Sequence, residues 1–104
     1  MINQDQLKAL HSRLSKIQEY LKIDEKRMKL KEEELRTQDP DFWNDPKKAE
    51  AQMKAIRGLK FWVESFDGLD AGYNDLEVLY EFAKEGEAEE SEVDEQTQMV
   101  AQVD

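Results

Sequence analysis

The sequence contains no cysteine, no long apolar run and only one histidine. Without cysteine, the chain has neither disulfides nor thiolate metal ligands. No apolar stretch approaches the roughly 20 residues of a membrane-spanning helix, and residues 1–5 lack the charged and apolar regions of a signal peptide. We therefore expect a cytoplasmic protein without a bound metal or other cofactor.

Groups of residues that could carry a reaction are also missing. His11, the single histidine, has no cysteine or carboxylate partner at ligand spacing, so we interpret it as a surface residue. The sequence shows no Ser/His/Asp set, no glycine-rich phosphate loop and no metal-ligand pattern. Its many carboxylates form no recognisable acid–base pair. We therefore expect no catalytic residue and no enzymatic activity.

Charge is abundant but unevenly distributed. Charged residues make up 38% of the 104 residues and hydrophobic residues another 38%, which predicts one domain (1–104) with a narrow core between helices. Residues 1–60 carry 14 Lys and Arg against 11 Asp and Glu, whereas residues 61–104 carry one Lys against 14 acids, for a net charge of −10. The first half can therefore present a basic face, while the second half repels phosphate.

Two prolines, the only ones in the chain, predict how it folds. Proline cannot continue a helix and disfavours helical geometry in the residue before it, so Asp39-Pro40 ends one helix. Aspartate is a preferred N-cap and proline suits the first helical position, so Asp45-Pro46 begins another. The predicted fold class is all-α: an elongated antiparallel bundle of two long helices plus a third, truncated helix.

A corner, residues 37–45, joins the two long helices. Phe42 and Trp43 are too large and apolar for an idle loop, and we expect this pair to plug the end of the hairpin. The residues assigned to the structural corner are Pro40, Phe42, Trp43, Asn44, Asp45 and Pro46.

The first helix is predicted over residues 5–36. Its apolar seam follows a heptad spacing, at Leu7, Leu10, Leu14, Ile17, Leu21, Met28 and Leu35. Asp24 and Lys31 interrupt this seam, either because water enters there or because both charges pair with the opposite helix and set its register. Ile23 and Leu30 lie off the seam, and such a second stripe predicts a second helical neighbour.

The second helix is predicted over residues 46–85 and is followed by a linker, 86–90. Its apolar pattern stays in phase across the glycines, which favours one helix over a break near Gly68. Aromatic residues at helical spacing are usually core residues, which we expect here of Trp62, Phe66, Tyr73 and Tyr80. Phe61 and Phe82 point elsewhere.

The third helix is predicted over residues 91–104, with Ser91 as its N-cap. Its short apolar stripe contains Val93, Val100 and Val103. A helix of about 14 residues is marginal in isolation, so it must pack on the hairpin. The pattern is interrupted at Asp104, and we therefore expect the chain to be a fragment of a longer protein.

Basic residues concentrate in the first helix and just after the corner. The stretch from Lys22 to Lys31 in the first helix includes Lys22, Lys26, Arg27, Lys29 and Lys31, and Lys47 and Lys48 follow the corner. The basic stretch of the first helix is either a solvated face paired with neighbouring acids or a surface that contacts phosphates. Because no glycine or aromatic residue is interleaved there, any RNA contact would be to the backbone and would weaken with salt.

The corner also carries a family resemblance. The segment Pro40-Asp41-Phe42-Trp43-Asn44-Asp45-Pro46, followed by Lys47-Lys48-Ala49-Glu50-Ala51-Gln52, resembles the N-terminal domain of bacterial peptide chain release factor 2. The Trp-Asn corner is the most specific part of this resemblance, and release factor 1 lacks it. Tyr20-Leu21 with Asp24 upstream, and residues 76–83 with the acidic linker downstream, also match the family pattern.

The resemblance implies a cytoplasmic role in translation termination at UAA and UGA codons. It places such a domain on the ribosome, near the large-subunit stalk base, the L11 protein and its rRNA, with an effect on the GTPase release factor 3. The family's Ser-Pro-Phe and Gly-Gly-Gln tripeptides, for codon reading and ester hydrolysis, do not occur here, so no catalytic residue is carried over. The ribosome-binding candidates are Lys22, Lys26, Arg27, Lys29, Lys47 and Lys48.

A second hypothesis explains the heptads equally well. The chain could be a free-standing coiled-coil adaptor or structural protein, and such an adaptor would form a stable homodimer. A docking domain is expected to be a monomer or to self-associate only weakly. Self-association therefore distinguishes the two hypotheses.

Overall fold

The computed structural model describes residues 1–102, and this part of the chain is all-α, as predicted. Its elements are α1 (Gln4–Tyr20), α2 (Ile23–Arg36), a 3-10 turn (Phe42–Asn44), α3 (Pro46–Lys84) and α4 (Glu90–Gln102). None of the described helices combines the length and hydrophobicity needed to cross a bilayer. The end of the predicted third helix, with Val103, lies outside the described residues.

Contacts divide the chain into two units. The first unit comprises Met1–Ile17 and the chain from Asp67 onward, and the second comprises Gln18–Phe66, so α3 contributes to both. The core of the first unit consists of Leu7, Leu10, Leu14, Leu69, Tyr73, Leu76, Tyr80, Val93 and Val100. Within it, the Tyr73 hydroxyl donates a hydrogen bond of 3.4 Å to the Leu7 carbonyl oxygen.

Side chains and glycine define the helix ends of the first unit. Asn3 and Gln6 exchange two backbone–side-chain hydrogen bonds of 2.9 and 2.8 Å, which form a capping box at the start of α1. Gly86 follows α3 with φ +78°, the left-handed geometry predicted for it. The prediction of Ser91 as the N-cap of α4 is wrong: α4 begins at Glu90, and the Glu92 carboxylate accepts the hydrogen bond of the Glu89 amide.

The predicted first helix, 5–36, is two helices. Lys22 adopts left-handed geometry, φ 53° and ψ 48°, and separates α1 from α2. The Lys26 ammonium donates a hydrogen bond to the Leu21 carbonyl oxygen, and the Gln18 amide bonds Asp24 across the break at 3.0 Å. The Lys26 bond satisfies a backbone carbonyl that the break would otherwise leave unpaired, and the Gln18–Asp24 bond links side chains on the two sides of the break.

The break changes which stripe of α2 is buried. Ile23 is completely buried and Leu30 half-buried, whereas the seam residues Met28 and Leu35 are 66% and 65% exposed. The left-handed residue interrupts the helical period, so the heptad spacing of α1 does not carry over into α2. The seam prediction is therefore wrong beyond the break, and the stripe predicted to meet a second neighbour is the core stripe.

The second unit has a small core with one charged member. Its buried apolar residues are Ile23, Ala49, Ile56, Val63 and Phe66. The Glu33 carboxylate is also buried; one oxygen lies 3.8 Å from the Arg36 guanidinium, and Oε2 has no hydrogen-bond partner among the residues that the structure describes. On the surface of this unit, the Lys60 ammonium lies 3.8 Å from the Glu34 carboxylate.

Helix α3 is continuous through its three glycines, as the in-phase pattern predicts. Of its four aromatic residues assigned to the core, Phe66, Tyr73 and Tyr80 are buried. The assignment of Trp62 is wrong, since its side chain is 43% exposed beside the exposed Phe61 ring. Val63 takes the buried position next to it, because a narrow core admits only one of two consecutive helical residues.

Candidate functional site

The corner begins at the C-terminal end of α2, where the last backbone carbonyls have no hydrogen-bond donor from a further helical turn. The Thr37 hydroxyl donates a hydrogen bond of 2.6 Å to the Glu34 carbonyl oxygen, which satisfies one of the last carbonyls of α2. Pro40 then prevents further helix. The Asp39 carboxylate accepts a 2.9 Å hydrogen bond from the Asp41 amide and tightens the turn around this proline.

The start of α3 has the chemistry that the sequence predicts. Asp45 has extended geometry, φ −113° and ψ 98°, and its carboxylate accepts a 3.3 Å hydrogen bond from the Lys48 amide. Asp45 is thus an N-cap, and Pro46 is the first helical residue. The Asn44 side chain donates a 3.2 Å hydrogen bond to Asp41 and holds the 3-10 turn against the cap.

The aromatic pair of the corner is only partly inside. The Phe42 and Trp43 rings meet edge to face, with centroids 4.6 Å apart. Phe42 is half-buried, but Trp43 is 56% exposed. Consecutive side chains of a 3-10 turn point about 120° apart, so the two rings cannot enter the same core. The prediction that the pair plugs the hairpin is therefore wrong for Trp43, which presents an apolar ring to solvent.

A groove of about 440 Å³ opens beside the corner within the second unit. Its walls come from the end of α2, the corner and the first two turns of α3. The lining residues are Arg36, Asp41, Phe42, Asn44, Asp45, Lys48, Ala49 and Gln52. Arg36 and Gln52 were not predicted to belong to this site. The charge of Arg36, directly before the corner, could have indicated it as a binding residue.

The basic candidates do not all form one surface. Lys47 and Lys48 are exposed at the start of α3, and Lys48 lines the groove. Lys22 and Lys29 are exposed, and Lys22 also forms the backbone break. The two remaining candidates, Lys26 and Arg27, are half-buried, and the Lys26 ammonium is engaged by the Leu21 carbonyl oxygen.

Carboxylates and the single histidine are the side chains of this chain that could hold a metal ion. Within residues 1–102, no three His, Asp or Glu side chains gather into a group that could hold a metal ion. His11 is exposed, and its ring centroid lies 5.5 Å from that of Tyr73. What the corner offers is an exposed ring, two exposed lysines and a polar groove, a combination suited to binding a partner's surface.

Known proteins match this chain closely enough to identify what it resembles. The peptide chain release factor 2 of Tolumonas auensis is 36% identical over 87 residues, 84% of this chain and 24% of the relative. That of Yersinia enterocolitica is 33% identical over the same shares, and that of Proteus mirabilis is 38% identical over 69% of this chain and 20% of the relative. The chain matches a release factor 2 N-terminal domain.

The resemblance predicted from the Trp-Asn corner is thus confirmed. The chain spans about a quarter of the length of the release factor 2 relatives it matches. No family model matches the chain.

Proposed function

We propose that this chain is a ribosome-docking domain that acts in translation termination at UAA and UGA codons. The match to release factor 2 over 84% of the chain carries the proposal. The relatives are about four times longer, and we propose that codon reading and peptidyl-tRNA hydrolysis reside in their other parts. The docking domain itself would bind without catalysis, in the cytoplasm.

The proposed binding site on the ribosome is the stalk base of the large subunit, where the domain would contact the L11 protein and its rRNA. The GTPase release factor 3 would sense this docking indirectly. The corner suits such a contact, because Trp43 and Lys47 are exposed and Lys48 borders a groove. Exposed aromatic rings are enriched at the centres of protein interfaces, and lysines meet rRNA phosphates.

Ribosome pelleting with charge-neutral variants tests the proposal. We expect the triple variant Lys29→Gln, Lys47→Gln and Lys48→Gln to bind ribosomes at least tenfold more weakly and with a shallower salt dependence, since each lost phosphate contact lowers the salt slope by about one. The double variant Lys8→Gln and Lys16→Gln is the matched control, because both lysines are exposed and lie in α1. Equal losses in the two variants would mean that only bulk charge matters.

One observation favours the adaptor alternative. Met28 and Leu35 lie seven residues apart on α2, and both are about two-thirds exposed, so they could form a helix-pairing stripe. Sedimentation equilibrium decides between the two functions. A docking domain stays monomeric or weakly paired at micromolar concentration, whereas an adaptor is dimeric at all concentrations and becomes monomeric when Met28→Lys is introduced.

A further inference from the structure

Helix α3 exposes two adjacent aromatic rings that are not part of the corner. Phe61 is 64% and Trp62 43% exposed. Their rings meet edge to face, with centroids 5.6 Å apart and an interplanar angle of 79°. Exposure of these apolar rings to water is unfavourable, and large apolar side chains that lie together on a surface commonly mark a binding site.

The part of α3 between the corner and these rings is rich in basic residues. Residues 46–60 carry five basic side chains and one acidic one, a local net charge of +4 in a chain of net charge −10. Lys54, Arg57 and Phe61 are spaced by three and four residues, so they share one face of α3. All three are exposed.

The charges on this face are available to a partner. Within residues 1–102, the side chains of Lys54 and Arg57 take part in no ion pair or hydrogen bond. Gly58 lies between Arg57 and the rings, and a Cβ placed on it would meet no atom within 4 Å. A strand laid along the face would therefore meet no protruding side chain between the cations and the rings.

We propose that this face of α3 binds single-stranded RNA, with Phe61 and Trp62 as a stacking platform for unpaired bases and with Lys54 and Arg57 on the adjoining phosphates. Proteins that bind single strands combine these two elements, a cationic track and aromatic faces. The surface is distinct from the first-helix candidates, where no aromatic residue is interleaved with the lysines.

RNA fits this face better than an acidic protein segment does. Carboxylates of a peptide would pair with Lys54 and Arg57 but would leave both flat rings without a matching partner. Unpaired bases supply flat π-faces and bring a phosphate with every nucleotide. Base-paired RNA hides its bases in the stack, so the inference requires a single strand, a loop or a bulge.

Titration of a fluorescent 12-nucleotide oligouridylate into the 104-residue chain tests this inference. In a Trp43→Phe background Trp62 is the only tryptophan, so its fluorescence reports directly on stacking. We expect quenching on binding, and at least a tenfold loss of affinity in Phe61→Ala and Trp62→Ala. The double variant Lys54→Gln and Arg57→Gln should lower the salt slope by about 1.4, since each phosphate contact to a single strand contributes about 0.7.

Matched controls separate this surface from general effects. Phe82→Ala removes a ring that is 44% exposed, close to the exposure of Trp62, but lies among acidic residues of α3, and should leave binding unchanged. Far-UV circular dichroism of each variant verifies folding. Equal affinity for a 12-base-pair RNA duplex, stronger binding of polyglutamate, or no quenching of Trp62 would each overturn the inference.

The inference does not depend on ribosome docking, and the two can fail separately. If Phe61→Ala binds oligouridylate normally while the Lys29, Lys47 and Lys48 variant loses ribosome affinity, the RNA surface is wrong and the docking proposal stands. If oligouridylate binds as expected but the chain does not pellet with ribosomes, the docking proposal alone is wrong.

Discussion

The side-chain amide of Gln96 donates a hydrogen bond of 2.8 Å to the main-chain carbonyl oxygen of Gly72, and this bond joins α4 to α3. A Cβ at Gly72 would lie 3.6 Å from the Gln96 Nε2 atom and 3.5 Å from the Val100 side chain, which are ordinary van der Waals distances, so the bond does not depend on glycine at this position. α4 is short, and among its residues whose burial is described Val93 and Val100 are buried, so one good polar contact matters for its docking within the first unit.

Replacing Gln96 tests this contact. We expect Gln96→Ala to lower the free energy of unfolding by about 1 kcal/mol, the usual net value of one hydrogen bond. Urea denaturation measures it, and Gln98→Ala is the control because it makes the same change at an exposed site of α4. A loss no larger than that of the control would show that the bond contributes nothing.

Because the residue at the α1–α2 break is left-handed, glycine should be favoured over alanine there, the reverse of the usual preference inside a helix. At Lys22, φ 53°, glycine should be more stabilising than alanine by about 1 kcal/mol, because a Cβ is strained in this geometry. At Lys29, inside α2, alanine should be better than glycine by about the same amount. Thermal unfolding of the four variants measures both differences. Alanine favoured at both sites would mean that α1 and α2 form one helix in solution.

Trp43 and Phe66 of the second unit differ in exposure, so their replacement should lower the free energy of unfolding by different amounts. Trp43→Ala should cost about 1 kcal/mol, since the ring is 56% exposed and mainly loses its edge-to-face contact. Phe66→Ala should cost about 3–5 kcal/mol, since that ring is 6% exposed. Chemical denaturation of both variants compares them, and similar losses would contradict the exposed corner.

The buried carboxylate of Glu33 should be a net cost to the fold. One oxygen lacks a hydrogen-bond partner, and its Arg36 neighbour is largely exposed, which weakens the ion pair. We expect Glu33→Leu to raise the free energy of unfolding by about 1 kcal/mol, because a buried polar atom without a partner is removed. Glu32→Leu, at an exposed position, should change it by less than about 0.5 kcal/mol. Destabilisation by Glu33→Leu would indicate a partner for this carboxylate.

Alkaline pH should weaken the first unit through Tyr73. Burial raises the pKa of its hydroxyl, and the nearby Glu77 carboxylate raises it further. The unfolded chain therefore releases this proton first, at its ordinary pKa of about 10. Stability is unaffected below that pH and falls as the pH rises above it, since the folded state holds the proton longer. Tyr73→Phe should flatten this decline in pH-dependent urea melts, whereas Tyr20→Phe, 86% exposed in the wild type, should not.

The sequence predicts the parts of the fold that local chemistry decides. Asp45 and Pro46 start α3, and Gly86 is the left-handed residue that follows its end. The apolar pattern stays in phase across the glycines of α3, which is continuous. Each of these features depends on residues within one or two turns, where capping and backbone preferences act directly.

The errors arise where tertiary packing overrides local signals. Nothing in the sequence around Lys22 breaks a helix, since neither glycine nor proline is near it, yet the chain turns there directly before the completely buried Ile23. Trp62 and Val63 are adjacent and both apolar, so periodicity alone could not decide which one enters the narrow core. The size of Trp43 predicts a buried corner ring and the helical spacing of Trp62 predicts a core residue, but both rings are exposed and belong to the binding surfaces proposed here.

Directed hydroxyl-radical probing tests the docking claim most directly. The chain has no cysteine, so iron–EDTA can be tethered to a single site, Gln38→Cys, at the exposed corner, or to Glu87→Cys, in the linker before α4, as the control. On bacterial ribosomes we predict that the corner probe cleaves large-subunit rRNA beside the L11 protein and that the linker probe gives a different pattern. No cleavage above background from the corner, or cleavage only at sites far from the stalk base, would contradict the account.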